Sequence, residues 1–248
     1  MTDFSKLLNP EQFAAATAGD GPLLVLAAAG TGKTRTLVHR VAYLIEQGVP
    51  PDRILLLTFT NRAAREMRER AEKLVGDAVM SIWSGTFHSI CARLLRRYGA
   101  PLGYPPGFQI IDEDDQKKIL GDVIKENVAD PKDFVKRDYV AKMISEATNE
   151  RRSVRDIAQR WLTKAAGVDP DAVAKVAEIY EKRKRELGAM DFDDLLVNGL
   201  RLLKDEKTAS IREMLQEHFL HVLVDEYQDT NGLQAKFKIG RASCRERV

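Results

Sequence analysis

The stretch Ala27-Ala28-Ala29-Gly30-Thr31-Gly32-Lys33-Thr34 follows an apolar run and opens a helical pattern. It has the form of a phosphate-cradling loop, lacking only the first glycine of G-x-x-x-x-G-K-[ST]. In such a loop the backbone N–H groups and the helix N-terminus face the phosphates. Lys33 would reach the β- and γ-phosphates, and the Thr34 hydroxyl would take Mg²⁺. Far along the chain, Val222-Leu223-Val224 runs into Asp225-Glu226. An apolar strand ending in two carboxylates is the complementary half of such a site. Asp225 would hold Mg²⁺, through water, and Glu226 would orient or deprotonate the attacking water in phosphoryl transfer. Acidic pairs are common in turns, so the pair gains its meaning from the loop.

The elements that must position these groups read as an α/β chain. Asn9-Pro10-Glu11 is a helix start, with Asn as the cap and Pro at the first helical position. Leu23 to Ala28, bounded by Gly21-Pro22 and Gly30, has the length and bounds of a buried strand. Lys33 to Gln47 is expected to be a helix with Leu37, Val41, Leu44 and Ile45 on one face. Ile54 to Thr58 is apolar until its last residue, as in a parallel strand covered on both faces. A helix from Asn61 to about Val75, a strand from Met80 to Trp83 and a helix ending at Tyr98-Gly99 follow. From Asp112 to about Leu187 the chain is highly charged and predicts successive helices, with breaks near Asp130-Pro131, Ser153 and residues 167–170. Helical periodicity continues from Phe192 to Lys204, and His221 to Asp225 returns to strand character. A helical block inserted in an α/β domain explains that order. The expected division is 1–111 and 188–237 for the α/β domain, 112–187 for the insertion and 238–248 for a tail.

Composition excludes several classes. At 248 residues, 44% hydrophobic and 31% charged, the chain can bury roughly 70% of its unfolded surface without disulfides or metal. No apolar run approaches the roughly 18 residues of a membrane span, and no secretory signal opens the chain, so a cytoplasmic location with no membrane partner is expected. Cys91 and Cys244 lie far apart, and His39, His88, His218 and His221 make no ligand cluster with them, which argues against zinc and disulfide scaffolds. Lys238, Arg241, Arg245 and Arg247 against Glu246 give residues 238–248 a charge of +3, so the formal net +2 leaves −1 on residues 1–237. This tail, KIGRASCRERV, resembles the translation of an adapter used in short-read DNA sequencing and is expected to be non-native; the alternative is a basic tail that binds nucleic acid.

Six motifs in order carry a resemblance to the UvrD/Rep/PcrA-type helicases of superfamily 1: LNPEQ (Leu8 to Gln12), AAAGTGKT, TFTNRAAREM (Thr58 to Met67), GTFHS (Gly85 to Ser89), DFDDLL (Asp191 to Leu196) and LVDEYQDTN (Leu223 to Asn231). The resemblance implies a P-loop NTPase, RecA-like parallel sheet with an inserted all-helical subdomain. It implies ATP and Mg²⁺ as cofactors, with single-stranded DNA and single/double-strand junctions, and repair or replication proteins, as partners. Gln12 would then recognise the adenine edge, Arg35 would lie near the nucleotide, and Gln228 would sense the γ-phosphate. Thr58, Phe59, Thr60 and Asn61, together with Thr86, Phe87, His88 and Ser89, would line the single-strand channel. There Phe59 or His88 would stack on bases and the hydroxyls would hold phosphates or sugars, although core packing is an equal expectation for Phe59 and Phe87. Ala28 and Arg62 stand where close relatives of this kind have glycine and lysine.

The resemblance also implies 3′-to-5′ movement and a second motor domain that supplies arginines to the transition state. The chain given ends soon after the Asp-Glu pair. It is therefore expected to bind nucleotide with little turnover, since such an arginine is worth about 10³- to 10⁵-fold in rate. Its sheet is expected to lack flanking strands and to exchange amides quickly near His221 to Asp225. The motor part of a recombination helicase-nuclease and a non-translocating ATP-binding module are the alternative readings.

Overall fold

The computed structural model describes residues 2–162 and 167–237; the tail from 238 onward, with Cys244, lies outside them. The described residues divide into two compact units, one of residues 2–90, 202–230 and 235–237, the other within 91–201 with 231–234. The texture of the sequence changes at 112 and 187. The unit boundary instead falls at 91 and 201, within helices.

The first unit opens with α1 (Phe4–Leu7) and α2 (Pro10–Ala16). Asn9 Oδ1 accepts from the Gln12 N–H at 2.8 Å, and Gln12 Oε1 accepts from the Asn9 N–H at 3.3 Å. This reciprocal capping box explains why LNPEQ starts a helix. The segment 22–28 is not the strand that its apolar run suggests. Leu26 is 86% exposed, and Leu23, Leu24 and Val25 are exposed as well. An apolar run becomes a strand only where a ladder partner satisfies its backbone, and the sheet places no strand beside it.

Then come α3 (Lys33–Glu46), β1 (Ile54–Thr58), α4 (Asn61–Val75) and β2 (Trp83–Thr86). The expected strand at Met80 to Trp83 therefore begins three residues later. Residues 76–81 form a 3₁₀ turn that buries Val79 and exposes Met80. From β2 the chain enters α5 (Phe87–Tyr98), which carries it into the second unit.

The second unit holds β3 (Gln109–Ile110), α6 (Glu113–Asn127), α7 (Arg137–Glu150), α8 (Val154–Trp161), α9 (Pro170–Glu186), β4 (Ala189–Met190) and α10 (Phe192–Leu202). The side chains of Asp112, Ser153 and Asp169 cap α6, α8 and α9, so the breaks at Ser153 and 167–170 are helix starts, whereas α7 begins at Arg137, beyond Asp130-Pro131, without a side-chain cap. Leu120, Val140, Ile144, Ile157 and Val176 pack at its centre. β3 and β4 pair in parallel over two residues, too short a run for periodicity to reveal.

This unit also buries a charged cluster. Lys184 is 2% exposed, and its Nζ lies 2.6 Å from both Asp191 Oδ2 and Asp194 Oδ2 and 2.8 Å from Glu181 Oε1. The Tyr180 hydroxyl donates to Asp191 Oδ2 at 2.9 Å. The Asp194 N–H donates to Asp191 Oδ1, and the Asp191 N–H to Asp194 Oδ2, so the two carboxylates of DFDDLL also box the start of α10. Burial would lower the Lys184 pKa, but Asp194, Asp191 and Glu181 outweigh it and raise the ammonium above its ordinary range. Burial likewise opposes ionisation of Asp191, yet the attraction of Lys184 holds that carboxyl low. Burial, then repulsion from Asp191, pushes Asp194 up to about 7.

The chain returns through α11 (Ala209–His218) to β5 (His221–Val224). The first unit's sheet is parallel with order β2-β1-β5, and Leu57 pairs with Gly85 on one side and Val224 on the other. All five residues of β1 are buried, whereas β5, at the edge, is half-buried throughout. α3 and α4 cover one face, their Val38, Val41 and Met67 clustering with Ile54 and Leu56 of β1.

Two outcomes are expected. In urea unfolding, Leu56→Ala costs about 2 to 5 kcal/mol as a core truncation and Leu26→Ala under about 0.5 kcal/mol; equal costs would place Leu26 inside the sheet. In the folded chain Asp194 keeps its proton up to about 7, against an ordinary value of 3.8, so this group lends stability that is lost as pH rises through that window. The melting temperature of Asp194→Asn should therefore fall less than that of the unchanged chain between about pH 5 and about pH 7, and parallel curves would contradict the raised pKa of Asp194.

Candidate nucleotide and nucleic-acid site

Because β1, β2 and β5 are parallel and in register, their C-terminal ends share one edge of the sheet. Ligands of open α/β sheets bind at that edge. The residues singled out in the sequence at Thr58 to Asn61, Thr86 to Ser89 and Asp225 to Gln228 all leave the sheet there.

The phosphate loop begins with Ala27 half-buried and Ala28 and Ala29 exposed. Gly30 and Gly32 take φ of 79° and 91°, the left-handed region that glycine enters without strain. A Cβ on Gly32 would also stand 2.6 Å from Gln12 Nε2. Thr31 Oγ1 donates to the Ala28 carbonyl at 2.7 Å, closing the loop on itself. No side chain caps α3, so its first N–H groups at Lys33 and Thr34 are presented as an anion-binding helix start. Gln12 Nε2 donates to the Thr31 carbonyl at 2.9 Å, and Arg35 Nη2 donates to the Leu7 carbonyl at 2.5 Å. Both residues expected near the nucleotide thus tie residues 7–12 to the loop and to α3.

On the acidic side, the Asp225 N–H still donates to the Leu57 carbonyl at 3.0 Å, extending the ladder by one bond. Glu226 then turns into the left-handed region at φ 52° and ψ 49°, a conformation that costs a non-glycine residue about 1 to 3 kcal/mol and clusters at functional sites. Glu226 Oε2 lies 3.2 Å from Lys33 Nζ and also accepts a hydrogen bond from Gln228 Nε2. Lys33, Glu226 and Gln228, separated by nearly two hundred residues of sequence, form one chain of contacts. The adjacent carboxyls are pushed apart. Burial, then the Glu226 charge, raises Asp225 above the usual carboxylate range, while the Gln228 hydrogen bond, then Lys33, lowers Glu226. A lysine, a helix start with a hydroxyl at its second residue and a strand-end aspartate fit a nucleoside triphosphate with its divalent cation.

The neighbouring strand ends build a second half. Thr60 Oγ1 accepts from the Ala63 N–H at 3.1 Å and caps α4. Thr86 Oγ1 accepts from the Ser89 N–H, and Ser89 Oγ returns to the Thr86 carbonyl at 2.9 Å, at the start of α5. Two helix N-termini with their partial positive charge therefore sit side by side. Thr60, Asn61 and Ser89 are exposed, and Phe59, Thr86 and His88 are half-buried. Burial lowers the His88 pKa, which keeps the imidazole neutral near pH 7. Two residues differ from the expected channel lining. Thr58 is fully buried, its Oγ1 donating to the Thr60 carbonyl at 3.0 Å, and Phe87 is 3% exposed. Phe87 packs edge-on against Phe59 at 6.1 Å and Phe237 at 6.3 Å between ring centres. Thr58 fixes the turn and Phe87 belongs to the core, so neither offers a face to a base.

Sequence patterns missed the Lys184 cluster. The DFDDLL motif marked its aspartates, but nothing in its spacing announced a lysine from the preceding helix.

A parallel α/β sheet with an acid pair at one edge, a phosphate loop whose lysine contacts that pair, and an inserted helical unit together define a P-loop motor domain. The chain matches the UvrD/REP helicase N-terminal domain over residues 8–239 and belongs to that family. It is 43% identical over 228 residues to the ATP-dependent DNA helicase PcrA of Staphylococcus aureus, covering 92% of this chain and 30% of that protein. It is 42% identical over 235 residues to the PcrA of Staphylococcus epidermidis, covering 94% of this chain and 31% of that one. The chain thus spans under a third of the length of these curated relatives. Among the described residues no helix is long and apolar enough to cross a membrane.

Removing the Phe87 ring is expected to cost about 3 to 5 kcal/mol in urea unfolding and removing the Phe59 ring clearly less. Equal costs would put Phe59 in the core as well and withdraw it from ligand contact.

Proposed function

We propose that this chain is the nucleotide-binding motor domain of a cytoplasmic ATP-dependent DNA helicase that moves 3′ to 5′ on single strands and acts at single/double-strand junctions. The Lys33–Glu226 contact at 3.2 Å supports this reading most directly, because it joins the phosphate loop to the acid pair. Lys33 is held by Glu226 within reach of the loop. A γ-phosphate would compete for that ammonium, and its gain would free Glu226, already biased toward its anion, to orient and deprotonate water. Gln228, bonded to the same carboxylate, would register the exchange. Thr34 and Asp225 are the residues that would hold Mg²⁺, which when bound neutralises charge on the phosphates. The paired starts of α4 and α5 would take the backbone phosphates of a single strand, with Phe59 and His88 as the stacking faces. Repair or replication proteins are the partners that fit a helicase of this family.

The chain as given is expected to bind a fluorescent ATP analogue, and Lys33→Ala to weaken that binding about 10- to 100-fold, the worth of a charge-assisted contact. Oligo(dT) binding should weaken steeply with salt, and Phe59→Ala should weaken it by about 1 to 3 kcal/mol. Unchanged nucleotide affinity in Lys33→Ala would sink the phosphate-loop assignment, and salt-independent oligo(dT) binding would sink the DNA assignment.

A further inference from the structure

Lys33 and Arg40 lie on one helix, α3, about two turns apart. Arg40 is 8% exposed, and an arginine this buried needs partners for its charge. Among the described residues no carboxylate bonds it; Asp20 acts on it only through space. Its bonds go to the backbone instead. The guanidinium donates from Nη1 to the Ala16 carbonyl at 3.2 Å and to the Ala18 carbonyl, and from Nη2 to the Gly19 carbonyl at 3.3 Å. Its carbon lies 5.8 Å from the centre of the Tyr43 ring. These three carbonyls mark the exit of α2. The body of α2 is seated separately, by an apolar cluster of Phe4, Leu8, Ala16 and Ala42, so the grip of Arg40 bears on where the chain leaves the helix. From that exit the chain runs to the phosphate loop, and residues 22–28 on the way join no ladder of the sheet. The sheet leaves their course open, and ties sit at its two ends. Arg40 holds Ala18 and Gly19 at one end, while Gln12 and the bond from Thr31 to Ala28 hold the loop at the other.

We propose that Arg40 is a positioning residue of the nucleotide site, fixing the approach to the phosphate loop from the same helix whose first N–H groups face the phosphates. The proposal rests on the reading that this loop binds a triphosphate. Because α3 carries both the anion-binding start and the guanidinium, the entry to the loop and its end are referred to one rigid body. Without Arg40 the carbonyls of Ala18 and Gly19 turn to water, and an approach that contains Gly19 and Gly21, the latter at φ 126°, samples more shapes. The binding-competent shape is then one among several, and apparent affinity falls by the fraction that remains. The loss falls on the phosphates, since Gln12 belongs to α2, which keeps its own apolar seat.

Binding of a fluorescent ATP analogue to the full chain, and of inorganic tripolyphosphate as its competitor, tests this when read well below the melting temperature of each variant. Lys33→Ala is the control and should weaken both ligands. Arg40→Ala also empties a buried site and lowers the melting temperature; while folded it should weaken both ligands alike, by about 10-fold. Arg40→Lys keeps the stem and the charge but cannot bridge the carbonyls, so its loss should fall between, at about 3-fold, and it decides the question where Arg40→Ala does not fold. A mere cap of α2 would lower the melting temperature and leave affinity alone. Folded variants that bind both ligands within about 2-fold of the unchanged chain therefore overturn the proposal. So does a loss confined to the nucleotide, which would place Arg40 behind Gln12 rather than behind the loop. No binding by the unchanged chain, or binding indifferent to Lys33→Ala, would instead overturn the phosphate-loop reading, and this proposal with it.

Discussion

Parallel pairing of β1 with both β2 and β5 is the constraint on which the site depends. A parallel pair cannot be closed by a hairpin; it needs a crossover long enough to carry the chain back to the starting edge. Between β1 and β2 the crossover is α4. Between β2 and β5 it is everything from α5 to α11, including the second unit. However long the crossover, register aligns Thr58, Thr86 and the residue after Val224 at one end. The groups that follow each strand then emerge together, and the Lys33–Glu226 contact brings the phosphate loop, which follows no strand of this sheet, to the same edge.

At that edge, electrostatics assigns different work to similar groups. Asp225 and Glu226 are sequence neighbours, yet the half-burial of Asp225 raises its pKa and the Gln228 hydrogen bond lowers that of Glu226. Paired carboxyls whose environments push them apart are the usual sign of separate roles in one reaction. The left-handed backbone at Glu226 breaks the extended course of β5, and its cost is tolerated because the ladder bond at Asp225 and the contact with Lys33 hold both ends of the turn. Gln12 and Arg35 act earlier in the chain of causes. They hold residues 7–12 against the loop, so that a glycine-rich segment keeps one shape.

The second unit uses charge for a structural purpose. Lys184 is buried among Asp191, Asp194 and Glu181 with Tyr180 over the top, and it stays charged because acidic groups surround it, Asp191 held ionised among them. Removing one partner of such a group leaves an uncompensated buried charge, so the cluster fixes one arrangement of α9 against the start of α10. Asp193, between the two cluster aspartates and their helix, faces Ser145 and Asn149 instead. One four-residue motif thus serves two networks.

Much of this was legible in the residues alone. Three of the helices between Asp112 and Glu186, α6, α8 and α9, begin where Asp, Ser and Asp cap them, because a cap is a local bond between neighbours. β1 and β5 show as apolar runs, and AAAGTGKT with the Asp-Glu pair marks the phosphate chemistry, since the loop's glycines and lysine act within a few residues of one another. What local pattern could not decide was partnership. Leu23 to Ala28 has the composition of a strand but stands outside the sheet, because a strand exists only by virtue of a neighbour. Phe59 and Phe87 look alike in sequence, and only packing against Phe237 sends Phe87 into the core. The short β3–β4 pair and the hold of Gln12 on Thr31 join residues far apart in the chain. Such contacts depend on where crossovers return the backbone, and that is a property of the tertiary structure.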